Sequence, residues 1–404
     1  MEFLKILGSD ALIRQFFTEN ELDLVSLKKK KRVNWTATEV GKALGLRILS
    51  RRAYVFVREV MHYPLPGVST LKRWAAKLNM RSGILEDVIN VMHFKSRSFD
   101  MFEKLTVLSF DEMKVRECIE YDQLLDEVIG PKKKVQVVMA RGLTGKWKQP
   151  VFVDFDQKMT KEILLNILEK LHLIGLLVVC CTSDCASENQ TLYSSLGATY
   201  EKPYFKHPCN DFDIVCMHDL PHVLKLIRNW LLDKGLILND CLVINRKPFQ
   251  TLIDAAQTEV NACYKLQDRH LTRRKSERQN VRLAAELLSH TVATAIAHYN
   301  VCGDAEKSEK VASFIELINN FFDLFNVRTW NQSTPYKSPY GCDLYLQKQN
   351  ELVKETKEVF FNLRSVGKPG LQIFQKVIIR ATEALPKLYE TVNTLCKELV
   401  STKF

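Results

Sequence analysis

The feature that most constrains this chain is a change of hydrophobic period near Lys104. Up to that point apolar residues recur at helical spacing. From Leu105 they come in short continuous runs bounded by polar residues. Leu105–Phe110, Val135–Ala140 and Val151–Phe155 read as strands, the last two separated by the Gly142–Gly145 turn. Thr160 opens an amphipathic helix to about His172. Leu176–Cys181 is a fourth, wholly apolar strand that closes with Thr182-Ser183-Asp184. A helix from about Ser187 to Ser195, a short strand Asp213–Met217 and a helix Asp219–Leu232 follow. The order β-β-β-α-β-α-β-α implies a mixed sheet, three antiparallel strands and then two parallel ones joined by helical crossovers.

Two acids close two of these strands. Asp111 ends the first and Asp184 the fourth. If those strands are neighbours, both carboxylates emerge side by side at one edge. Such carboxylates hold divalent metal ions that activate water and stabilise a leaving oxygen in phosphodiester chemistry. This strand order with acids at those ends is the ribonuclease H-like arrangement. An acid after an apolar strand is also a common helix cap, so it is the pair that carries the reading. Glu112 points to the opposite strand face from Asp111, and Glu188 lies one helical turn past Asp184. His207, Cys209, Cys216 and His218 are zinc-ligand types, but two of them flank a predicted strand, which favours buried thiols over a metal site.

Charge is concentrated ahead of the sheet. The chain carries a net +11 over 404 residues, and residues 1–82 hold sixteen Lys/Arg against seven Asp/Glu. Positive charge gathered on a small domain is the footprint of phosphate binding. Residues 1–25 read as a short helix. Lys28–Arg32 is a basic run that serves equally as a solvated linker or a nuclear address. Thr36 or Thr38 with Glu39 caps a helix through Leu44, Ser50 caps Arg51–Met61, and Pro64 and Pro66 turn the chain. Ser69 caps a third helix, Thr70–Leu78, with Lys72, Arg73 and Lys77 around Leu71 and Trp74. These are the ingredients of a helix-turn-helix.

After residue 236 no strand is predicted. Helices are expected over Lys247–Gln267, Glu277–Asn300, Glu306–Phe325, Tyr345–Leu363 and Leu371–Val400, the last broken near Pro386. Neither a G-x-G-x-x-G dinucleotide fingerprint nor a P-loop occurs. Only 15 glycines occur, which argues against propellers and glycine-rich linkers. The longest apolar run, Leu173–Cys181, is half of what a membrane span requires. Eleven cysteines without a C-x-x-C pair read as reduced thiols of an intracellular protein.

The chain resembles the P element transposase superfamily, including the THAP-type transposases of vertebrates. The resemblance rests on Ala53-Tyr54 through Arg58, Pro64-Leu65-Pro66, Ser69-Thr70-Leu71-x-x-Trp74 and Ser109-Phe110-Asp111-Glu112-Met113. It continues through Trp147-Lys148-Gln149-Pro150, Thr182-Ser183-Asp184 with Asn189, and Asp219-x-Pro221-His222-x-x-Lys225-x-x-Arg228-Asn229. Ile318-Asn319-Asn320-x-Phe322-Asp323-x-x-Asn326 and Gly367-Lys368-Pro369 complete it. It implies a helix-turn-helix, a ribonuclease H-like catalytic domain and a helical GTP-binding domain inserted into it. By position, Asp111 and Asp184 match the first two catalytic acids. Asp323 and Asn326 match the segment that looks like the guanine reader, and a buried Asp can accept from guanine N1 and N2. Lys265 and the Arg269–Arg282 stretch are candidates for phosphate contacts, with Arg278-Gln279 where the family has Lys-Met.

The expectation is therefore an α/β plus α chain: a short helical N-terminus (1–25), a helix-turn-helix domain (26–82), a ribonuclease H-like domain (83–235) and an all-helical GTP-binding insertion-like domain (236–404). Its expected partner is double-stranded DNA, with Arg51, Arg52, Lys72, Arg73 and Lys77 as contacts. The expected cofactors are Mg²⁺ or Mn²⁺ and GTP, and the expected location is the nucleus; homo-oligomerisation is left open. The family's N-terminal THAP zinc finger and its third acid, in a Leu-Asn-Gln-Asp-x-x-Glu-type segment, have no counterpart here, and the helical cover of the second half of the sheet is expected to be missing. The expected activity is thus DNA binding with impaired strand transfer. An active enzyme with a third acid from elsewhere and a non-catalytic scaffold are the alternatives.

Overall fold

A computed structural model describes residues 17–25, 33–75, 81–122, 126–238, 242–255, 263, 265–272, 275–327 and 334–401. The chain divides into two compact units, Met1–Arg81 with Leu85–Phe94, and Ser82–Ile84 with Lys95–Phe404.

The first unit holds helices α1 (Glu19–Val25), α2 (Ala37–Leu49), α3 (Arg51–Val55), α4 (Val68–Ala75) and most of α5 (Glu86–Ser96). Thr36 and Glu39 form a reciprocal capping box that starts α2, which runs to Leu49 rather than Leu44. Ser50 accepts from the Ala53 N–H and starts α3. The single helix expected to Met61 instead passes into a π-helical turn over Phe56–Val60. The third helix begins at Val68, so Ser69 lies inside its first turn and is not its cap. Val40, Ala43, Tyr54 and Leu71 form the core, with Trp35, Leu65, Val68 and Trp74 packed on it. The Tyr54 hydroxyl donates to the Pro66 carbonyl and ties the Pro64–Pro66 turn to that core. The expected helix before residue 17, the Lys28–Arg32 run and Lys77 lie outside the described residues.

The second unit is built on a seven-stranded sheet. Its strands are β1 (Gly83–Ile84), β2 (Leu105–Lys114), β5 (Lys134–Gly142), β6 (Lys148–Phe155), β7 (Leu177–Ser183), β8 (Tyr204–Lys206) and β9 (Asp213–His218). A separate two-stranded ribbon, β3 (Glu120–Asp122) and β4 (Glu127–Ile129), stands between β2 and β5 in the chain. The spatial order is β1-β6-β5-β2-β7-β9-β8. β2 is antiparallel to β5 and parallel to β7, and β7 is parallel to β9. The five expected strands take these places; β1 and β8 are edge strands of two and three residues, too short to show a period. Helix α6 (Lys161–Leu173), capped by Thr160, is the first crossover, and α7 (Ser187–Ser195) the second. β7 is buried almost throughout, as a central parallel strand must be.

Helix α8 (Leu220–Asp233) leaves the sheet and leads into the helical region. There the expectation of no strands fails. β10 (Leu236–Ile237) pairs with β11 (Val243–Ile244) and β12 (Arg364–Ser365) in a small antiparallel sheet of two-residue strands. The described part of the next helix, α9, covers Lys247–Ala255. The helix expected over Glu277–Asn300 is broken into α11 (Lys275–Arg278), α12 (Val281–Leu287) and α13 (His290–His298), after a short α10 (Asp268–Leu271). The breaks have a cause: Asn280 accepts from the N–H groups of Arg282 and Leu283, and Ser289 from that of Val292, so each starts a fresh helix. Helices α14 (Ala305–Phe325) and α15 (Leu346–Asn362) follow as expected.

The final helix, α16 (Ile373–Ser401), runs through Pro386 without the expected break. Both of its halves are held by packing. Phe374, Val377 and Ile378 belong to the large helical core, while Leu388, Val392, Leu395 and Cys396 pack on Leu105, Val107, Val179 and Cys180 of the sheet. The sheet therefore has helical cover from α16, which the sequence reading did not anticipate. All ten cysteines among the described residues are free thiols.

Candidate active site

The site follows from strand register. Phe110 of β2 is paired with Ser183 of β7, and Ser183 is paired with His218 of β9. Asp111, Asp184 and Asp219 are the next residues along three adjacent chains that run the same way. The pairing persists one step further, because the Asp219 N–H donates to the Ser183 carbonyl at 2.8 Å. In β2 burial stops at Phe110 and every residue from Asp111 to Lys114 is exposed. The acid thus sits where the sheet leaves the core. Asp111 does not end β2 as expected, since the strand runs on to Lys114 with Asp111 paired to Val137 of β5; Asp111 and Asp184 each stand one residue beyond the last pair of β2 with β7.

Among the described residues, Asp111 and Asp184 each keep one carboxylate oxygen uncommitted. Asp184 Oδ1 accepts from the Ala186 N–H at 3.0 Å and from Asn189 Nδ2 at 2.6 Å, which fixes the loop entering α7. Asp111 Oδ1 accepts from the Glu112 N–H at 2.8 Å. Glu112 pairs with Lys134, and Glu188 with Lys158 at 3.3 Å, so both are turned to lysines. Asp219 accepts from His222 at 2.6 Å. Among the described residues no group of three or more acids, histidines or cysteines gathers as a metal cluster. The two free carboxylate oxygens nevertheless suit a hard divalent cation, since Mg²⁺ is commonly held by one or two carboxylates together with water and substrate phosphates.

Behind the acids lies a buried polar relay. His218 Nδ1 is 2.7 Å from the Asp184 carbonyl and 3.2 Å from Ser183 Oγ; its Nε2 is 3.3 Å from Nη1 of Arg380 on α16. A guanidinium only donates, so Nε2 accepts and Nδ1 carries the proton toward the Asp184 carbonyl. Burial, with Arg380 beside it, holds the His218 pKa down to about 4, which keeps the ring neutral. Arg380 also donates to the Ala198 carbonyl and stacks on Tyr193, 5.2 Å from its centroid. Burial pushes the Cys185 thiol up to about 12; Asp184 and Asp219 add to this, while Lys225 and Arg380 oppose it. Those four charges therefore converge on one thiol. Sequence reasoning missed Arg380 altogether, because it lies 162 residues from its partner His218 with no local pattern to mark it. The His207–Cys209–Cys216–His218 set does not gather: Cys216 is a core residue, and His207 accepts from the Cys209 N–H.

The other expected sites are placed as follows. Arg51 and Arg52 open α3 and Lys72 and Arg73 lie on α4, all four exposed. Lys265 lines a cavity of about 270 Å³ with Arg282, Glu286, Ser289 and Thr291. Arg278 instead forms a two-pronged ion pair with Asp233 at 3.1 and 2.6 Å. Asp323 lies on α14, where it accepts from Asn319 at 3.2 Å with Lys337 3.8 Å away. Burial raises its pKa, and Lys337 opposes that. Asn326 ends the same helix, its N–H donating to the Asp323 carbonyl. Neither Arg278, Asp323 nor Asn326 lines the cavity of Lys265.

Comparison with known proteins agrees with this architecture. Residues 8–74 match the family description "Transposable element P transposase-like, HTH domain", residues 80–197 "TNP-like, RNase H N-terminal domain", and residues 221–339 "TNP-like, GTP-binding insertion domain". The chain is 34% identical over 381 residues to a Drosophila melanogaster protein named Transposable element P transposase, covering 94% of this chain and 50% of that one. It is 23% identical to the human protein named DNA transposase THAP9, covering 88% of this chain and 41% of that one. It thus spans half the length, or less, of these relatives. Among solved structures it is similar to the Drosophila P element transposase strand transfer complex, with a TM-score of 0.76 and 34% identity over 94% of this chain and 85% of that one. In sequence, domain content and fold, the chain belongs to the P element transposase family.

Proposed function

We propose that this chain binds double-stranded DNA through its first unit and holds a divalent metal for phosphodiester chemistry at Asp111 and Asp184, in the nucleus. The observation that supports the reading is the register of β2 and β7, whose last pair, Phe110 with Ser183, comes one residue before Asp111 and Asp184. Bound there by Asp111 and Asp184, Mg²⁺ or Mn²⁺ would supply Lewis acidity toward a phosphoryl oxygen. The chain's own contribution is orientation. Asn189 and the Ala186 N–H lock one oxygen of Asp184, and His218 holds its backbone carbonyl. Two acids without a third leave a metal short of protein ligands, so metal affinity is weak and strand transfer by these 404 residues falls below detection. The helical region takes GTP, with Asp323 reading guanine, Asn326 beside it, and Lys265 and Arg278 supplying positive charge; its match to a GTP-binding insertion domain supports this.

The test is Mn²⁺ titration calorimetry together with a nicking assay on supercoiled DNA. Weak Mn²⁺ binding that is lost in Asp111→Ala and Asp184→Ala, without nicking, is the expected result. Metal binding that survives both substitutions refutes the carboxylate site. Nicking by the wild-type chain that disappears in Asp111→Ala refutes the impairment.

A further inference from the structure

Helix α8 begins one residue past the end of β9, beside Asp184, and carries a lysine on a largely covered stem. Lys225 is 8% exposed and makes no hydrogen bond or ion pair with the described residues. A methionine would pack the same space without the charge. The stem of Lys225 is covered, while its ammonium is not among the buried atoms without a partner, so the charge keeps access to the surface near Cys185, where Asp184 and Asp219 also converge. An ammonium with no hydrogen bond or ion pair among the described residues, on a covered stem beside two acids, is available to a phosphate.

Its direction is set by the helix. Side chains of an α-helix lean toward its N-terminus, so Lys225 reaches back over the first turn, Leu220–Val223. That turn abuts the strand ends: Asp219, its N-cap, is hydrogen-bonded to Ser183, one residue before Asp184. The Asp219 side chain does not cap the helix, being engaged by His222 instead. The 14-residue helix thus points the positive end of its dipole at the same place with no side-chain acceptor on its N–H groups. Arg228, one turn further along α8, is 1% exposed, with Nε and Nη1 lacking partners. Its Nη2 donates only to the Glu277 carbonyl and Asn229 Oδ1. Arg228 is turned to Glu277, Asp233 and Arg278, so of these two cations it is Lys225 that stands with Asp184 and Asp219 around Cys185.

We propose that Lys225 and the N-terminal turn of α8 form a phosphate subsite beside Asp111 and Asp184. The inference rests on reading those two acids as the DNA-processing site. The phosphate belongs to the DNA backbone next to the reacting diester or to a nucleotide bound by the helical region, and the two sources are separable by experiment.

The full chain is compared with Lys225→Met and Lys225→Arg. The probes are a fluorescently labelled DNA duplex, followed by anisotropy in Mn²⁺ across a salt series, and GTP, followed by calorimetry. With a DNA phosphate, Lys225→Met weakens the duplex about tenfold and lowers the salt slope by about 1. Lys225→Arg restores most of that loss, and GTP affinity is unchanged. A loss confined to GTP keeps the subsite and assigns it to the nucleotide. Thermal melting of the same variants separates ligand contact from scaffolding: Lys225→Met leaves Tm unchanged or raises it. Unchanged affinity for both probes, or a fall in Tm, overturns the proposal. Asp184→Asn tests the underlying reading by itself. If Mn²⁺ binding survives Asp184→Asn while Lys225→Met still loses duplex affinity, the carboxylate site is wrong and the phosphate subsite stands.

Discussion

Replacing Arg51, Arg52, Lys72 and Arg73 together with alanine is the sharpest test of DNA binding by the first unit. All four are exposed, and none has a hydrogen-bond or ion-pair partner among the described residues. Their charge is therefore not committed to folding. Each phosphate neutralised on duplex DNA releases condensed counterions and adds about 0.9 to the slope of log affinity against log salt. If all four contact phosphates, the quadruple variant loses about 3.6 from that slope. Between 50 and 200 mM salt, a fourfold change, those contacts account for about a 150-fold weakening of the wild-type chain, which the variant does not show. The measurement is anisotropy of a labelled duplex at five or so salt concentrations. Circular dichroism serves as a control for the fold, since exposed positions of this kind usually change stability by less than about 0.5 kcal/mol. A slope reduced by less than about 1 in the folded variant refutes the assignment of this face to DNA.

Three further outcomes follow. His207 is buried with Nε2 unpartnered, and burial beside His172 holds its pKa down to about 4; the unfolded chain takes up that proton near pH 6.5, so stability present at pH 7 is lost as pH falls from 6.5 toward 4, by about 2 kcal/mol at pH 5. Urea unfolding at pH 7 and pH 5 should show that extra loss in the wild type and not in His207→Phe; equal losses would refute it. Asp323→Asn removes the carboxylate proposed to accept from guanine, so calorimetry should show GTP affinity falling about tenfold or more with ATP affinity unchanged; a retained preference for GTP assigns the base contact elsewhere. Leu395→Ala deletes a side chain 7% exposed in the core between α16 and the sheet, and should cost about 2–4 kcal/mol in denaturant unfolding; a cost below about 1 kcal/mol would mean that the end of α16 is not anchored there.

What the sequence made legible is what depends on local period and local caps. β2 and β7 were readable because each is a continuous apolar run, and Asp111 and Asp184 because each run ends on an acid. The capping box at Thr36 and Glu39 and the cap at Ser50 were readable from spacing. Ser69 misled because a serine three residues after a proline looks like a cap whether or not the helix has already begun. The strands β10, β11 and β12 were illegible because two residues carry no alternation, and they are held by pairing between segments over 100 residues apart. The breaks at Asn280 and Ser289 could have been seen, since both are preferred N-cap residues, but the surrounding apolar spacing masked them. Pro386 argued for a break on local grounds, and tertiary packing on both sides overrode it.

The course of α16 changes how the two halves of the second unit are related. Its first half is part of the helical core, Arg380 reaches the back of the site, and its second half covers β2 and β7. A single helix thus touches the helical region, part of which matches a GTP-binding insertion domain, and the histidine behind Asp184. His218 is the point of contact: it accepts from Arg380 on one nitrogen and holds the Asp184 carbonyl with the other. Because the imidazole is neutral and buried between the two, a displacement of α16 large enough to lose the Arg380 contact leaves Nε2 of His218 without its donor. The helical region is therefore not an appendage to the sheet. Arg380, from the far end of the chain, reaches the histidine that holds the Asp184 backbone carbonyl, while Asn189 and the Ala186 N–H fix its carboxylate.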